Sequence, residues 1–186
     1  MHRSPTEEWR AERVSQGFVA DYKPFSFVDG EGVRCSLYVS GCLFACDGCF
    51  NKDAWSFRCG EEYGTDLEDR ILADLAHPSV QGISLLGGEP FLNTQVCLAV
   101  VRRMRRELPS KDVWCWSGYT VEELVTGTQD KRDLLAQVDV LVDGPFDLAR
   151  RDLRLAFRGS TNQRVLDVPL SLERGEPVAW AGLRDG

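Results

Sequence analysis

The apolar positions change period several times along the chain, and each change marks an element. Val33 to Val39 alternates, with Cys35, Leu37 and Val39 on one face and Ser36, Tyr38 and Ser40 on the other, which predicts a strand. Leu67, Ile71, Leu72 and Leu75 then recur at helical spacing, predicting a helix over 66–76 that ends before Pro78. A short apolar strand follows over 82–86. Val96, Val100, Met104 and Leu108 form the stripe of a helix over 94–108, and Arg102, Arg103, Arg105 and Arg106 crowd outside that stripe as a solvated face or a docking patch. Strands are expected again over 112–116, 138–142 and 165–168.

This alternation predicts an α/β domain built on a parallel sheet with right-handed crossovers. A complete eight-unit barrel takes about 250 residues, and the chain has 186, so the expected fold is a partial, open (β/α) barrel. Residues 1–20 are charge-rich without a clear apolar period and read as a loose N-terminal extension. The folded domain is expected over 21–168, and Pro169, Pro177 and the following glycines mark a C-terminal tail over 169–186.

Composition narrows the class. The chain is 43% hydrophobic and 27% charged, as ordinary globular proteins are. Its 29 acidic side chains outnumber 22 basic ones for a net charge of −7, which disfavours a nucleic-acid partner. No 18-residue apolar run and no signal-peptide core occurs, so a cytoplasmic protein without a membrane partner is expected. Seven cysteines, an odd number with three clustered, fit a reducing compartment better than a disulfide scaffold.

Those three carry the chemistry. Cys42, Cys46 and Cys49 stand with three and then two residues between them, close enough to share one metal centre and poorly placed to pair as disulfides. Gly41, Ala45 and Gly48 let the backbone curl closely around a bulky group. A four-iron cluster normally takes four cysteines, so three leave one iron open for chemistry. A structural zinc, or an electron-carrying cluster with a remote fourth ligand among Cys35, Cys59, Cys97 and Cys115, fits the loop as well. Further on, Gly87-Gly88-Glu89-Pro90 follows a strand, where ligands of α/β sheets sit; the glycines admit close backbone approach and Glu89 offers an acceptor for an ammonium group. Ser117-Gly118-Tyr119 ends another strand. Asp143, at the end of the most apolar strand, either faces the same ligand edge as Glu89 or opens a turn before Gly144-Pro145. With only His2 and His77 present, no general base or nucleophilic triad is expected.

Taken together, these motifs resemble the radical S-adenosylmethionine (SAM) glycyl-radical-enzyme activases. The likeness rests on the cysteine spacing, on Val28-Asp29-Gly30-Glu31-Gly32-Val33-Arg34-Cys35 before it, on Phe50-Asn51-Lys52 after it and on Gly87-Gly88-Glu89-Pro90. Trp116-Ser117-Gly118-Tyr119, Asp139 to Gly144 and Phe157 to Gln163 resemble the branch that activates anaerobic ribonucleoside-triphosphate reductase. The resemblance implies the short radical SAM form of the partial barrel and a [4Fe-4S] cluster on Cys42, Cys46 and Cys49. It further implies SAM held by Gly48, Cys49, Phe50, Gly87, Gly88, Glu89, Ser117 and Asp143. Where many superfamily members carry an aromatic residue just before the last cysteine, this chain has Gly48, and its aromatic residue, Phe50, comes just after. The implied activity is one-electron cleavage of SAM to methionine and a 5′-deoxyadenosyl radical, which takes hydrogen from a glycine of a large glycyl radical enzyme. A flavodoxin- or ferredoxin-type donor would supply the electron. A radical SAM enzyme acting on a small molecule or peptide, and a ferredoxin-like carrier, are the alternatives.

Overall fold

The computed structural model describes residues 3–184, so His2 lies outside the described residues. Its frame is one seven-stranded sheet. The strands are β1 (Phe18–Ser26), β2 (Val33–Val39), β3 (Glu61–Glu62), β4 (Val80–Gly87), β5 (Asp112–Trp116), β6 (Val140–Asp143) and β7 (Arg164–Asp167), in the order β3-β1-β2-β4-β5-β6-β7. The helices are α1 (Ala11–Val14), α2 (Thr65–Leu75), α3 (Thr94–Glu107), α4 (Val121–Val125), α5 (Gln129–Leu135) and α6 (Val168–Arg174). The sheet is open, with β3 and β7 at its edges.

The four central strands, β2, β4, β5 and β6, run parallel. Each step moves to the next strand in the same direction through helical crossovers, so the helices gather on one face. That face holds the main core: Cys35, Leu37, Ile83, Leu85, Val113 and Cys115 from the sheet meet Ile71 and Leu75 of α2 and Val96, Val100 and Met104 of α3. The alternation of each strand sends Trp114, Val140, Val142 and Val165 to the other face, where Trp116, Phe157 and Trp180 pack against them.

The expectation of a wholly parallel sheet is corrected at both margins. β1 pairs antiparallel with β2, and β7 antiparallel with β6. The connection 27–32 is too short to cross over a sheet, so it makes β1 and β2 antiparallel neighbours. The loose N-terminal extension is corrected as well, since Trp9 and Ala11 are buried. Nor is the C-terminal segment a bare tail: α6 is capped by the Asp167 side chain, and the Trp180 amide donates to the carbonyl of Val165 at 2.9 Å.

The Asp29 to Arg34 stretch is an anchor at the opposite end of β2 from the cysteine loop. Asp29 Oδ2 accepts from the hydroxyls of Ser26, Ser36 and Tyr38 at 2.7, 2.8 and 2.7 Å. Arg34, fully buried, donates to Ser84 Oγ at 2.8 Å and to the Ile83 carbonyl at 3.0 Å, and pairs with Asp112. A buried guanidinium left without these acceptors would be costly. Arg34→Met, which keeps the volume and removes the charge, is expected to be milder than Asp29→Ala, which strands three hydroxyl donors. Urea midpoints of the two variants measure the order.

Candidate metal centre

β2 ends at Val39 and the chain enters the cysteine loop, which is pinned to its surroundings by backbone bonds. Gly41 N donates to the Ala54 carbonyl at 2.7 Å, Cys42 N to Trp55 O at 3.2 Å and Cys49 N to Cys46 O at 3.1 Å. From the neighbouring strand β4, Gly88 N donates to Val39 O at 2.7 Å and Glu89 N to Gly41 O at 2.8 Å. This close approach needs glycine: a Cβ on Gly88 would lie 2.6 Å from the Gly41 carbonyl oxygen, and Gly87 adopts φ +100°, which other residues rarely take. Ala45 is left-handed at φ 50°, a strained position for a residue with a side chain.

The three strand-end loops enclose a cavity of about 160 Å³. Cys42, Cys46 and Cys49 line it together with Gly87, Gly88, Glu89 and Ser117. Of the predicted SAM-contacting residues, Gly48, Phe50 and Asp143 do not. Gly48 lies against the Leu148 side chain, which a Cβ there would meet at 2.9 Å, and Phe50 is fully exposed. The carboxylate of Asp143 is committed elsewhere: Arg164 reaches Oδ1 at 2.9 Å and Oδ2 at 2.5 Å, and Val121 N donates to Oδ2 at 2.8 Å. Gly144, the next residue, lines the cavity in its place. Residues not expected as SAM contacts also contribute walls: Asn51, Trp116 and Gln163 from the family motifs, and Phe44, Trp55 and Phe146 from outside the expected contacts. Their signal was present as aromatic and amide residues at the edges of the strand-end loops.

Glu89 is buried and ties two of the loops together. Its Oε1 accepts from Phe91 N at 3.1 Å and Ser117 Oγ at 2.8 Å, and its Oε2 from Gly118 N at 2.8 Å. Burial pushes its pKa up to about 7, even though these donors and Lys131 pull it down. Burial likewise pushes the Cys42 thiol up to about 12, with the Glu89 charge adding to it, and raises Cys46.

The donor set suits a cluster. Cys42, Cys46 and Cys49 line one cavity, and a cube of iron and sulfide holds its thiolates at separate corners, so three thiols around one cavity can share it. The wall also contains an unused donor: Trp55 Nε1 is shielded from solvent and has no hydrogen-bond partner. A sulfide-bearing group is the kind of acceptor such an indole can serve.

Comparison with known proteins agrees with this chemistry. Residues 28–166 match a family described as a 4Fe-4S single cluster domain. The anaerobic ribonucleoside-triphosphate reductase-activating protein of Pasteurella multocida (strain Pm70) is 45% identical over 148 residues, 77% of this chain and 93% of the relative. Its namesake in Escherichia coli (strain K12) is 43% identical over 148 residues, with 77% and 94% covered. That of Enterobacteria phage T4 is 33% identical over 144 residues, with 76% and 88% covered. The chain belongs to the anaerobic ribonucleoside-triphosphate reductase-activating protein family.

As a member of that family it carries a 4Fe-4S cluster, and Cys42, Cys46 and Cys49 line one cavity together. The other four cysteines stay outside the cavity lining. Cys35, Cys97 and Cys115 are fully buried in the main core, and the Cys35 thiol donates to Pro24 O at 3.1 Å. Replacing any one of Cys42, Cys46 or Cys49 by Ala is therefore expected to remove most of the iron and sulfide retained after anaerobic reconstitution, whereas Cys97→Ala retains it; iron and sulfide assays read both.

Glu89 gives a pH signature. A carboxyl raised above its unfolded value contributes stability that is complete below about pH 4.5 and is lost as pH rises through about 7. In the cluster-free protein, unfolding free energy should fall between pH 5 and 7.5 more steeply for the native chain than for Glu89→Gln. Urea titrations at the two pH values report the difference.

Proposed function

We propose that this chain is a radical SAM activase, which cleaves SAM reductively at its [4Fe-4S] cluster and generates a glycyl radical on anaerobic ribonucleoside-triphosphate reductase. The carrying observation is the make-up of the cavity. Three cysteines contribute, and the remaining walls include the Gly87-Gly88-Glu89 and Ser117-Gly118 loops, with no further thiol among the lining residues. A fully ligated electron carrier has no use for such walls. When bound, a reduced cluster with one open iron supplies the electron that breaks the sulfonium carbon–sulfur bond of SAM.

The residues of the chain bind, orient and exclude. Gly87 and Gly88 bring bare backbone to the cavity, where carbonyls can accept from an amino group. Glu89 presents the one buried carboxylate of the lining, and three protein donors fix its orientation. A cationic amino group placed against it would draw its raised pKa back down, so binding and deprotonation of Glu89 are linked. Phe44, Trp55, Trp116 and Phe146 add aromatic faces to the lining, which suit an adenine ring. We read the open sheet, with its one-directional parallel strands, as the short radical SAM form of the partial barrel.

The site is also reachable from outside. Phe50 is 100% exposed and Leu148, packed against Gly48 of the cysteine loop, is 49% exposed. Both lie on segments that continue directly from cavity-lining residues, Cys49 and Phe146. An apolar rim of this kind fits a protein segment entering from the side. The electron donor is proposed to be a flavodoxin or ferredoxin. No described helix is long and apolar enough to cross a membrane, in keeping with a proposed cytoplasmic setting.

The test is anaerobic electron paramagnetic resonance on reconstituted protein with reductant, SAM and the reductase. A glycyl doublet is expected; SAM cleavage without any doublet on the reductase would favour a small-molecule or peptide substrate. For the rim, Phe50→Asp should keep uncoupled SAM cleavage within about twofold while glycyl radical yield falls about tenfold or more, as for loss of an interface anchor. Equal losses in both readouts would place Phe50 in the chemistry instead.

A further inference from the structure

Residues 3–15 lie outside the family match, which begins at residue 28, yet they are attached to the cysteine loop and its neighbours at three points. The first is Arg3, whose amide donates to the carbonyl of Phe44 at 2.6 Å. The second is Trp9, 8% exposed, whose ring stands edge-on to Phe44 at 5.1 Å and to Tyr119 at 6.4 Å. The third is Ser15, whose hydroxyl donates to Asn93 Oδ1 at 2.6 Å; the Asn93 amide nitrogen in turn donates to the carbonyl of Ser40, at the mouth of the cysteine loop, at 3.3 Å.

The aromatic contact has the clearest consequence. Phe44 lies between Cys42 and Cys46 and lines the cavity, so its position sets the curvature of that half of the loop. It is clamped on several sides. Tyr119 meets it edge-on at 5.0 Å, Gly118 leaves room for its ring where a Cβ would come within 2.6 Å, and Trp9 covers it. Trp9 is itself fixed by a buried lysine. Lys131 Nζ donates to the Trp9 carbonyl at 2.8 Å and to Tyr119 Oη at 2.9 Å, with its charge 4.3 Å from the centre of the Tyr119 ring. One cation thus joins the arm to the Ser117-Gly118-Tyr119 loop, and one indole joins both to the cysteine loop.

We infer that the N-terminal arm is a brace for the cluster, with Trp9 its positioning residue: it holds Phe44, and through it the Cys42 to Cys46 half of the loop, in the shape that keeps the cluster. The inference rests on the cluster reading above and adds a part that the family match does not contain. A loop with Ala45 in a left-handed conformation stores strain, and strained loops persist only when their surroundings over-determine them. The arm supplies that constraint. Without it the loop keeps its three thiols but samples shapes in which they no longer converge, so the cluster is released more readily.

The test compares four full-length proteins after anaerobic reconstitution with iron and sulfide: the native chain, Trp9→Ala, Trp9→Phe and Leu75→Ala. Leu75, the last residue of α2, is buried in the main core and is no part of the arm's attachments, so its loss destabilises the fold by another route. The readouts are the rate of iron loss to a chelator and the melting temperature. Trp9→Ala should lose iron about tenfold faster than the native chain, the scale of one lost aromatic clamp. Trp9→Phe, which restores an edge-on ring, should return to within about threefold of the native rate. Leu75→Ala should lower the melting temperature at least as far as Trp9→Ala and leave the iron-loss rate within about twofold. Iron loss by Trp9→Ala at the native rate, or rates that follow melting temperature across all four proteins, overturns the brace. A native chain that takes up no cluster overturns the functional reading instead, and the brace with it.

Discussion

Three thiols can share one centre only if the short loop that carries them is held from outside, and here the holding is done by backbone. Gly88 and Glu89 donate to the carbonyls of Val39 and Gly41, which fastens the loop after β4 to the loop after β2. Parallel neighbours bring their carboxyl ends to the same edge of the sheet, so this pairing follows from the strand order itself. Ser117 and Gly118, after β5, then reach the same edge and are tied in by the buried carboxylate of Glu89. The cavity is the space that these three loops and the segment after β6 leave between them, and the glycines keep it open.

This arrangement separates stability from chemistry. The main core lies on the helix-covered face, and the Asp29 and Arg34 network closes the end of the sheet away from the site. What remains at the carboxyl edge is polar, strained at Ala45 and dependent on buried groups whose ionisation is shifted by burial. Such a site is poorly stable by its own contacts and is kept by its surroundings. A cluster held by the three thiols would complete it, because three sulfur bonds would restrain the loop far more strongly than any hydrogen bond within it.

Much of this was legible in the chain. The spacing of Cys42, Cys46 and Cys49 pointed to a loop that lines the cavity, and two glycines followed by Glu89 at a strand end pointed to the facing wall, since both patterns answer local demands. β5 matched its expected bounds because an apolar run between turn residues admits few readings. The antiparallel margins were not legible, because β1 contains Lys23 and Pro24 and exposes much of its length. Nor was the packed arm, whose helix is a single turn with little apolar period and whose one large anchor, Trp9, finds its partners more than thirty residues away. Asp143 shows the same limit. A carboxylate at a strand end reads as a ligand until the pairing of β6 with β7 sets Arg164 beside it.

The account depends on one iron of the cluster having no protein sulfur and being met by the cosubstrate. The most direct measurement is Mössbauer spectroscopy of cluster in which only the labile iron has been replaced by ⁵⁷Fe, recorded before and after SAM is added. The account predicts a single exchangeable iron site whose isomer shift rises on SAM binding as nitrogen and oxygen ligands join it. A cluster with no exchangeable iron, or a labelled site unchanged by saturating SAM, would contradict it.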